Sequence, residues 1–275
     1  MKDLAGRTAI LTGANGGLGA YLAGALADAG MNLVLVAYPG NGLDEIVRHA
    51  EQRGVKSVSL VADLRVGAQR EQVVAMARAA FGGADLLVNN AGVEYSAVFH
   101  ELPEANVREV LNVNLEAPMM LTHRVLPGML ERRRGHVVNI SSLAGKSGPG
   151  YQEPYAASKA GLVAFTSSLR ATYRGTGVSA SVVCPGFVET GIYARITART
   201  GRRAPTLLAP CAPERVTRAV LRAVRRDQPE VIVSRYPVLP LLMLTTLSPR
   251  LGAWVTARIG THDFFRAVVE AEKRK

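Results

Sequence analysis

The chain has 275 residues, 48% hydrophobic and 20% charged, with a net charge of +11. That is enough apolar mass for one large α/β domain and too much for a disordered chain. Its two cysteines, Cys184 and Cys211, provide neither a disulfide framework nor a metal-ligand cluster, which suits a reducing compartment.

The first strand is expected at 7–12, "RTAILT", followed by a helix over 16–30 that ends at Gly30. A second strand at 32–37, "NLVLVA", leads to a helix over 43–54, and 55–63 with 68–83 repeat the pattern. "DLLVNNAG" (85–92) is a fourth strand and its turn, and a long helical segment runs from about Pro103 to Arg133. "GHVVNISS" (135–142) is a strand, and 153–175 is a helix with Pro154 in its first turn, where a missing N–H costs nothing. "GVSASVVCPG" (177–186) is another strand. Continuous apolar strands alternating with helices predict an α/β fold, a doubly wound parallel sheet covered on both faces, with ligands bound beyond the carboxyl ends of the strands.

Residues 193–213 hold too many turn formers and arginines for a buried element and read as a mobile lid over the active site, which is expected at about 187–212. A basic-faced helix (213–228) and a final strand (229–234) follow. Residues 1–233 thus form the main domain, and 234–275 a helical extension of it.

The positive charge is unevenly placed. Residues 1–186 carry a net +2 and residues 187–275 a net +9. Without interleaved aromatics or a reading helix this argues against nucleic acid, and leaves a solvated basic face or an anionic membrane surface. No N-terminal run suits a signal sequence and no stretch reaches the length of a spanning helix. A cytoplasmic placement is expected. The 14 uncharged residues between Arg235 and Arg250 leave three readings open for about 235–259: a cover for the pocket, a subunit contact, or a peripheral contact with the cytoplasmic face of a membrane. Each favours a hydrophobic substrate.

The chemistry sits in short motifs. "TGANGGLG" (12–19) joins the first strand to a helix, where glycines let backbone N–H groups approach a pyrophosphate. Its spacing is T-G-x-x-x-G-x-G. Asp63 ends the third strand, "NNAG" (89–92) follows the fourth, and Asn114, Ser142, "YAASK" (155–159) and "PGFVET" (185–190) come in order. Tyr155 and Lys159 are four residues apart and so share one helix face. An ammonium there favours the phenolate and is expected to lower the pKa of the phenol from its usual value near 10.

This set resembles the short-chain dehydrogenase/reductase family over about residues 5–233. The resemblance implies a nicotinamide-dependent oxidoreductase that interconverts a carbonyl and a secondary alcohol on a small molecule, and a homodimer or homotetramer; the apolar segment at 235–259 makes that substrate hydrophobic. It implies a catalytic set of Asn114, Ser142, Tyr155 and Lys159, with Tyr155 as acid/base, Ser142 orienting the substrate oxygen, and Asn114 holding a water that links Lys159 to solvent. The cofactor set it implies is Thr12, Gly13, Asn15, Gly17, Leu18, Gly19, Tyr38, Asp63, Leu64, Asn89, Ala91, Gly92, Tyr155, Lys159, Pro185, Gly186, Val188 and Thr190, with no metal. Tyr151 reads as a pocket-wall residue, and Glu153 adds a charge beside the chemistry. The second strand ends at Ala37–Tyr38, without the acid that selects NAD and without an arginine for a 2′-phosphate. The missing acid points to NADP(H), with NAD(H) as the alternative. The rival class is a nicotinamide-binding regulator or scaffold without turnover; such proteins lose the tyrosine or lysine, and this chain keeps both.

Overall fold

The computed structural model describes residues 1–273. Seven parallel strands form one sheet: β1 (Thr8–Thr12), β2 (Asn32–Ala37), β3 (Ser57–Val61), β4 (Leu86–Asn89), β5 (Gly135–Ile140), β6 (Val178–Pro185) and β7 (Glu230–Val233). Their order is β3-β2-β1-β4-β5-β6-β7, so the chain reverses its winding between β1 and β4. A crevice at the carboxyl ends of those two strands is the consequence.

Both sheet faces are buried, and the pleat explains the unbroken apolar runs. In β2, Leu33, Leu35 and Ala37 pack into one core with α1 (Gly17–Asp28), α2 (Leu43–Glu51) and α8 (Pro213–Arg226). Val34 and Val36 point the other way, into a second core with α3 (Gly67–Phe81), α5 (Ala117–Glu131) and α6 (Glu153–Thr172). Each fully buried leucine or valine contributes about 1.5–3 kcal/mol.

The long helical segment is more finely divided than its periodicity predicts. α4 (Glu104–Leu111) runs through a π-helical turn, Asn112–Glu116, into α5. Such a turn inserts one residue into the helix and re-aims a side chain, often at a functional site. Here the side chain is Asn114.

The segment 193–213 lines the cleft through Tyr193, Arg195, Ile196, Leu207, Leu208 and Ala209, but it is more ordered than its turn formers predict. Gly191–Thr200 is a helix, α7, and its Ile196 is 2% exposed. Ile196 packs with Phe264, Phe265 and Val268 of α11 (Thr261–Lys273). After Gly201 the chain makes one 3-10 turn, Thr206–Leu208, in an otherwise irregular stretch, and Cys211 ties it down by bonds to the backbone of Phe187 (2.9 Å) and Glu189 (3.0 Å). The remaining helices, α9 (Leu239–Leu247) and α10 (Pro249–Ile259), lie between β7 and α11. Among the described residues no helix is long and apolar enough to cross a membrane.

Candidate active site

A cleft of about 970 Å³ opens at the carboxyl ends of the strands, running from the glycine turn and Tyr38 past Ser142 to α7, α9 and α10. Its floor is set by contacts that leave no room for side chains. Gly13 has φ +64°, and a Cβ there would lie 2.8 Å from Ala91 Cα. A Cβ on Gly17 would sit 2.0 Å from Thr190 Oγ1, and one on Gly19 2.0 Å from Gly13 O. No side chain caps α1, so its first-turn N–H groups keep their capacity to bind an anion. A glycine cradle at an uncapped helix N-terminus fits a dinucleotide pyrophosphate.

Of the residues expected to hold the cofactor, Gly13, Asn15, Gly17, Leu18, Gly19, Tyr38, Asp63, Leu64, Ala91, Gly92, Tyr155, Lys159, Pro185, Gly186, Val188 and Thr190 all line this cleft. Thr12 and Asn89 do not. Thr12 Oγ1 accepts from the amides of Asn90 (3.0 Å) and Ala91 (3.1 Å), latching β1 to the turn after β4. Asn89, still within β4, is 2% exposed and donates to Asn139 Oδ1 (2.8 Å) in the core. Strand alternation therefore gives the cleft to Asn90, whose amide donates to the carbonyls of Thr12 (3.0 Å) and Gly13 (3.1 Å).

At the adenosine end Ala37 is buried and Tyr38 is 59% exposed. Sequence reasoning found no cation here, but the fold supplies one. Arg65 lies with its guanidinium 5.7 Å from the Tyr38 ring centroid, and it too lines the cleft. It forks onto Asp63 through Nε (2.9 Å) and Nη2 (2.7 Å) and reaches Glu109 Oε1 at 2.7 Å. The Arg65 hydrogen bond holds the Asp63 carboxyl below its ordinary range. Arg65 is two residues beyond Asp63 and 27 beyond Tyr38 in the chain, so only strand pairing between β2 and β3 reveals the neighbourhood.

At the other end, the end of β5 delivers Ser142 and the first turn of α6 delivers Tyr155, and both line the cleft. Ser141 faces away and anchors α6 by donating to Lys159 O (2.7 Å). Lys159 is 4% exposed; its Nζ donates to Ile140 O (2.9 Å) and lies 5.6 Å from the Tyr155 ring centroid. Asn114 is fully buried and outside the cleft wall. Its Oδ1 accepts from Val93 N (2.9 Å), while Nδ2 donates to Val93 O (2.9 Å) and Ser158 Oγ (3.2 Å). A Cβ on Gly92 would meet both Asn114 Oδ1 (3.4 Å) and Lys159 Nζ (3.6 Å), so the two side chains converge on one bare stretch of backbone.

The electrostatics differ from the sequence expectation. Burial pushes the Tyr155 phenol up to about 12, against a smaller lowering by the Ser142 hydroxyl. Burial also pulls Lys159 down to about 8. For each group desolvation by burial is the largest cause. At neutral pH the site thus holds a neutral phenol beside a lysine that is still mostly charged.

Two further polar residues line the cleft unannounced by any motif. Glu94 accepts from Gln152 Nε2 (2.6 Å) and is bonded to Ser96. Burial raises its pKa, and its charge in turn raises that of Tyr155. Glu94, not Glu153, is the carboxyl beside the chemistry: Glu153 is exposed in the first turn of α6 and accepts from Tyr151 N (3.3 Å). Tyr151 is not part of the wall; its ring turns to His262, 5.2 Å between centroids. The wall there is Gly150 and Gln152.

The short chain dehydrogenase family profile matches residues 7–201. The chain is a short-chain dehydrogenase. Ketoacyl reductase HetN of a Nostoc strain is 39% identical over 96% of this chain and 93% of its own length. The 3-oxoacyl-[acyl-carrier-protein] reductase FabG of Escherichia coli is 34% identical over 67% of this chain and 75% of its own. Dehydrogenase/reductase SDR family member 7B of Xenopus tropicalis is 32% identical over 87% and 81%. As a short-chain dehydrogenase with reductases and dehydrogenases among its relatives, the protein is an NAD(P)-dependent oxidoreductase whose seven-stranded parallel sheet is the Rossmann-like fold expected of it.

Proposed function

We propose that this short-chain dehydrogenase reduces the keto group of a hydrophobic 3-oxoacyl or related ketone substrate with NADPH, and that Tyr155 delivers the proton. The observation that carries the reading is that Tyr155 and Ser142 both line the inner end of a cleft whose far walls are apolar, with Lys159 Nζ 5.6 Å from the Tyr155 ring centroid. The bound nicotinamide supplies hydride. The residues of the chain do the rest. Ser142 and Tyr155 hold the carbonyl oxygen by two hydrogen bonds, and the phenol proton passes to that oxygen as charge develops on it. Lys159, still charged at neutral pH, stabilises the phenolate left behind and binds the nicotinamide ribose. Asn114 fixes the backbone at Val93 and, through Ser158, the first turn of α6, which keeps Tyr155 in place; Ser158 Oγ donates to Tyr155 O at 2.7 Å.

Two features support NADPH over NADH. No carboxylate stands at the end of β2 to repel a 2′-phosphate, and the Arg65 guanidinium lies beside Tyr38 on the same wall. The acyl chain is assigned to the apolar wall formed by Leu207, Leu208, Leu241 and Leu242. The names of the ketoacyl reductase relatives agree with this substrate class.

The test is NADPH oxidation, followed by absorbance, over a series of 3-oxoacyl thioesters of increasing chain length. Rising kcat/KM with chain length is expected. Turnover confined to small polar ketones would sink the proposal.

A further inference from the structure

We propose that the outer face of α9 and α10 docks on an anionic lipid bilayer. The inference does not depend on which ketone is reduced. Fourteen large hydrophobic side chains are exposed among the described residues, and six of them lie between Tyr236 and Trp254. Leu239, Met243 and Leu247 are spaced four apart along one face of α9; Leu251 and Trp254 continue on α10. Leu247 is 80% exposed, the most exposed of the fourteen.

The opposite faces of the same two helices line the cleft, through Leu241 and Leu242 of α9 and Ala253, Thr256 and Ala257 of α10. The helices press together at Gly252, where a Cβ would fall 2.4 Å from Thr245 Cα. The pair is therefore a thin wall, apolar on both sides, between the substrate cleft and the exterior. At 9 and 11 residues each helix suits lying in an interface rather than crossing it.

Charge selects the occupant. Between Glu230 and Asp263 the chain carries Arg235, Arg250 and Arg258 and no acidic residue. All three arginines are exposed; Arg235 lies 4.0 Å from Glu189, while Arg258 stacks 4.7 Å from the Trp254 ring centroid, so Arg250 and Arg258 supply the cations at the rim of the apolar stripe. A two-fold contact with a second copy would face Arg250 and Arg258 with themselves and offer no acid from α9 or α10 to pair with them. Anionic headgroups match the rim while acyl chains match the stripe. A lipophilic ketone held in that bilayer would then reach the cleft past α9 and α10 without entering water.

The test is co-sedimentation of the full chain with vesicles of phosphatidylcholine alone and of phosphatidylcholine with phosphatidylserine, alongside light scattering in the absence of lipid. Wild type is expected to sediment with the anionic vesicles and much less with the neutral ones. An arginine near an anionic surface is worth about fivefold in partitioning, so Arg250→Gln/Arg258→Gln should weaken anionic binding about 25-fold. Leu247→Glu/Trp254→Glu should weaken it at least about tenfold while NADPH binding, read by fluorescence, stays unchanged. The proposal is overturned if wild type stays in the supernatant with both vesicles, if it binds both equally, or if the variants sediment like wild type. It is also overturned if light scattering shows an oligomer that Leu247→Glu/Trp254→Glu splits, since the stripe is then a subunit contact.

Discussion

Lys159 gives the cofactor site a titration that can be read without turnover. Burial lowers its pKa from 10.5 to about 8, so its charge is present below that value and is lost as pH rises through it. The ammonium fraction falls from about 0.9 at pH 7 to about 0.1 at pH 9, whereas an unburied lysine would lose only a few per cent of its charge over the same range. If the ammonium holds the nicotinamide ribose, the Kd for NADPH weakens by about tenfold between pH 7 and pH 9 in the free enzyme. Tyr155, pushed up to about 12, stays protonated throughout and contributes nothing to the change. NADPH fluorescence titrations at half-unit pH steps measure this directly. Tyr155→Phe should follow the wild-type curve, and Lys159→Met should bind weakly with a flat profile. A wild-type Kd constant from pH 7 to 9, or a dependence abolished by Tyr155→Phe, would refute the reasoning, the latter by assigning the titration to the phenol.

Three further outcomes are expected. His136, buried with Nε2 2.8 Å from Ser181 Oγ, is lowered by burial from 6.5 to about 3; the stability of keeping it neutral is present above 6.5 and is lost as pH falls through 6.5 towards 3. Between pH 7 and pH 5 the wild type should lose about 2 kcal/mol more than His136→Gln in urea denaturation; comparison with the variant cancels the opposite effect of Glu94, whose raised pKa favours the fold as pH falls. Equal losses would show that His136 titrates normally. Gly17→Ala should raise the Kd for NADPH at least about tenfold, because its Cβ would lie 2.0 Å from Thr190 Oγ1 and must part α1 from the Pro185–Thr190 turn; calorimetric binding at wild-type affinity would contradict the cradle. Arg65→Met should raise KM for NADPH about tenfold and leave KM for NADH within about twofold, a charged hydrogen bond to phosphate being worth about 1.5–3 kcal/mol; equal effects on both would make Arg65 a structural clamp on Asp63 and Glu109.

The sequence carries those parts of the site that are local in the chain. The glycine turn, "NNAG" and "YAASK" each present their residues within one strand end or one helix turn, so spacing alone brings Tyr155 and Lys159 to one face and Gly13, Gly17 and Gly19 to one loop. Strand alternation and burial decided the rest. Asn89 and Asn90 are indistinguishable by composition, and only the end of β4 says which one turns into the core. Asn114 owes its direction to a π-helical turn with no clear signal in an apolar pattern. Arg65 meets Tyr38 across two paired strands. The reversal for Tyr155 has the same origin: spacing shows the neighbouring ammonium, but not the burial that outweighs it. α7 escaped because Ile196 finds its apolar partners in α11, some 70 residues later.

The most direct test of Tyr155 as proton donor is a single-turnover measurement with NADPH already bound, comparing wild type and Tyr155→Phe on a 3-oxoacyl thioester. The expected result is a fall in the rate of NADPH oxidation of about 10²–10⁴-fold, with the Kd for NADPH within about twofold of wild type. A variant that oxidises NADPH at close to the wild-type rate would contradict the account.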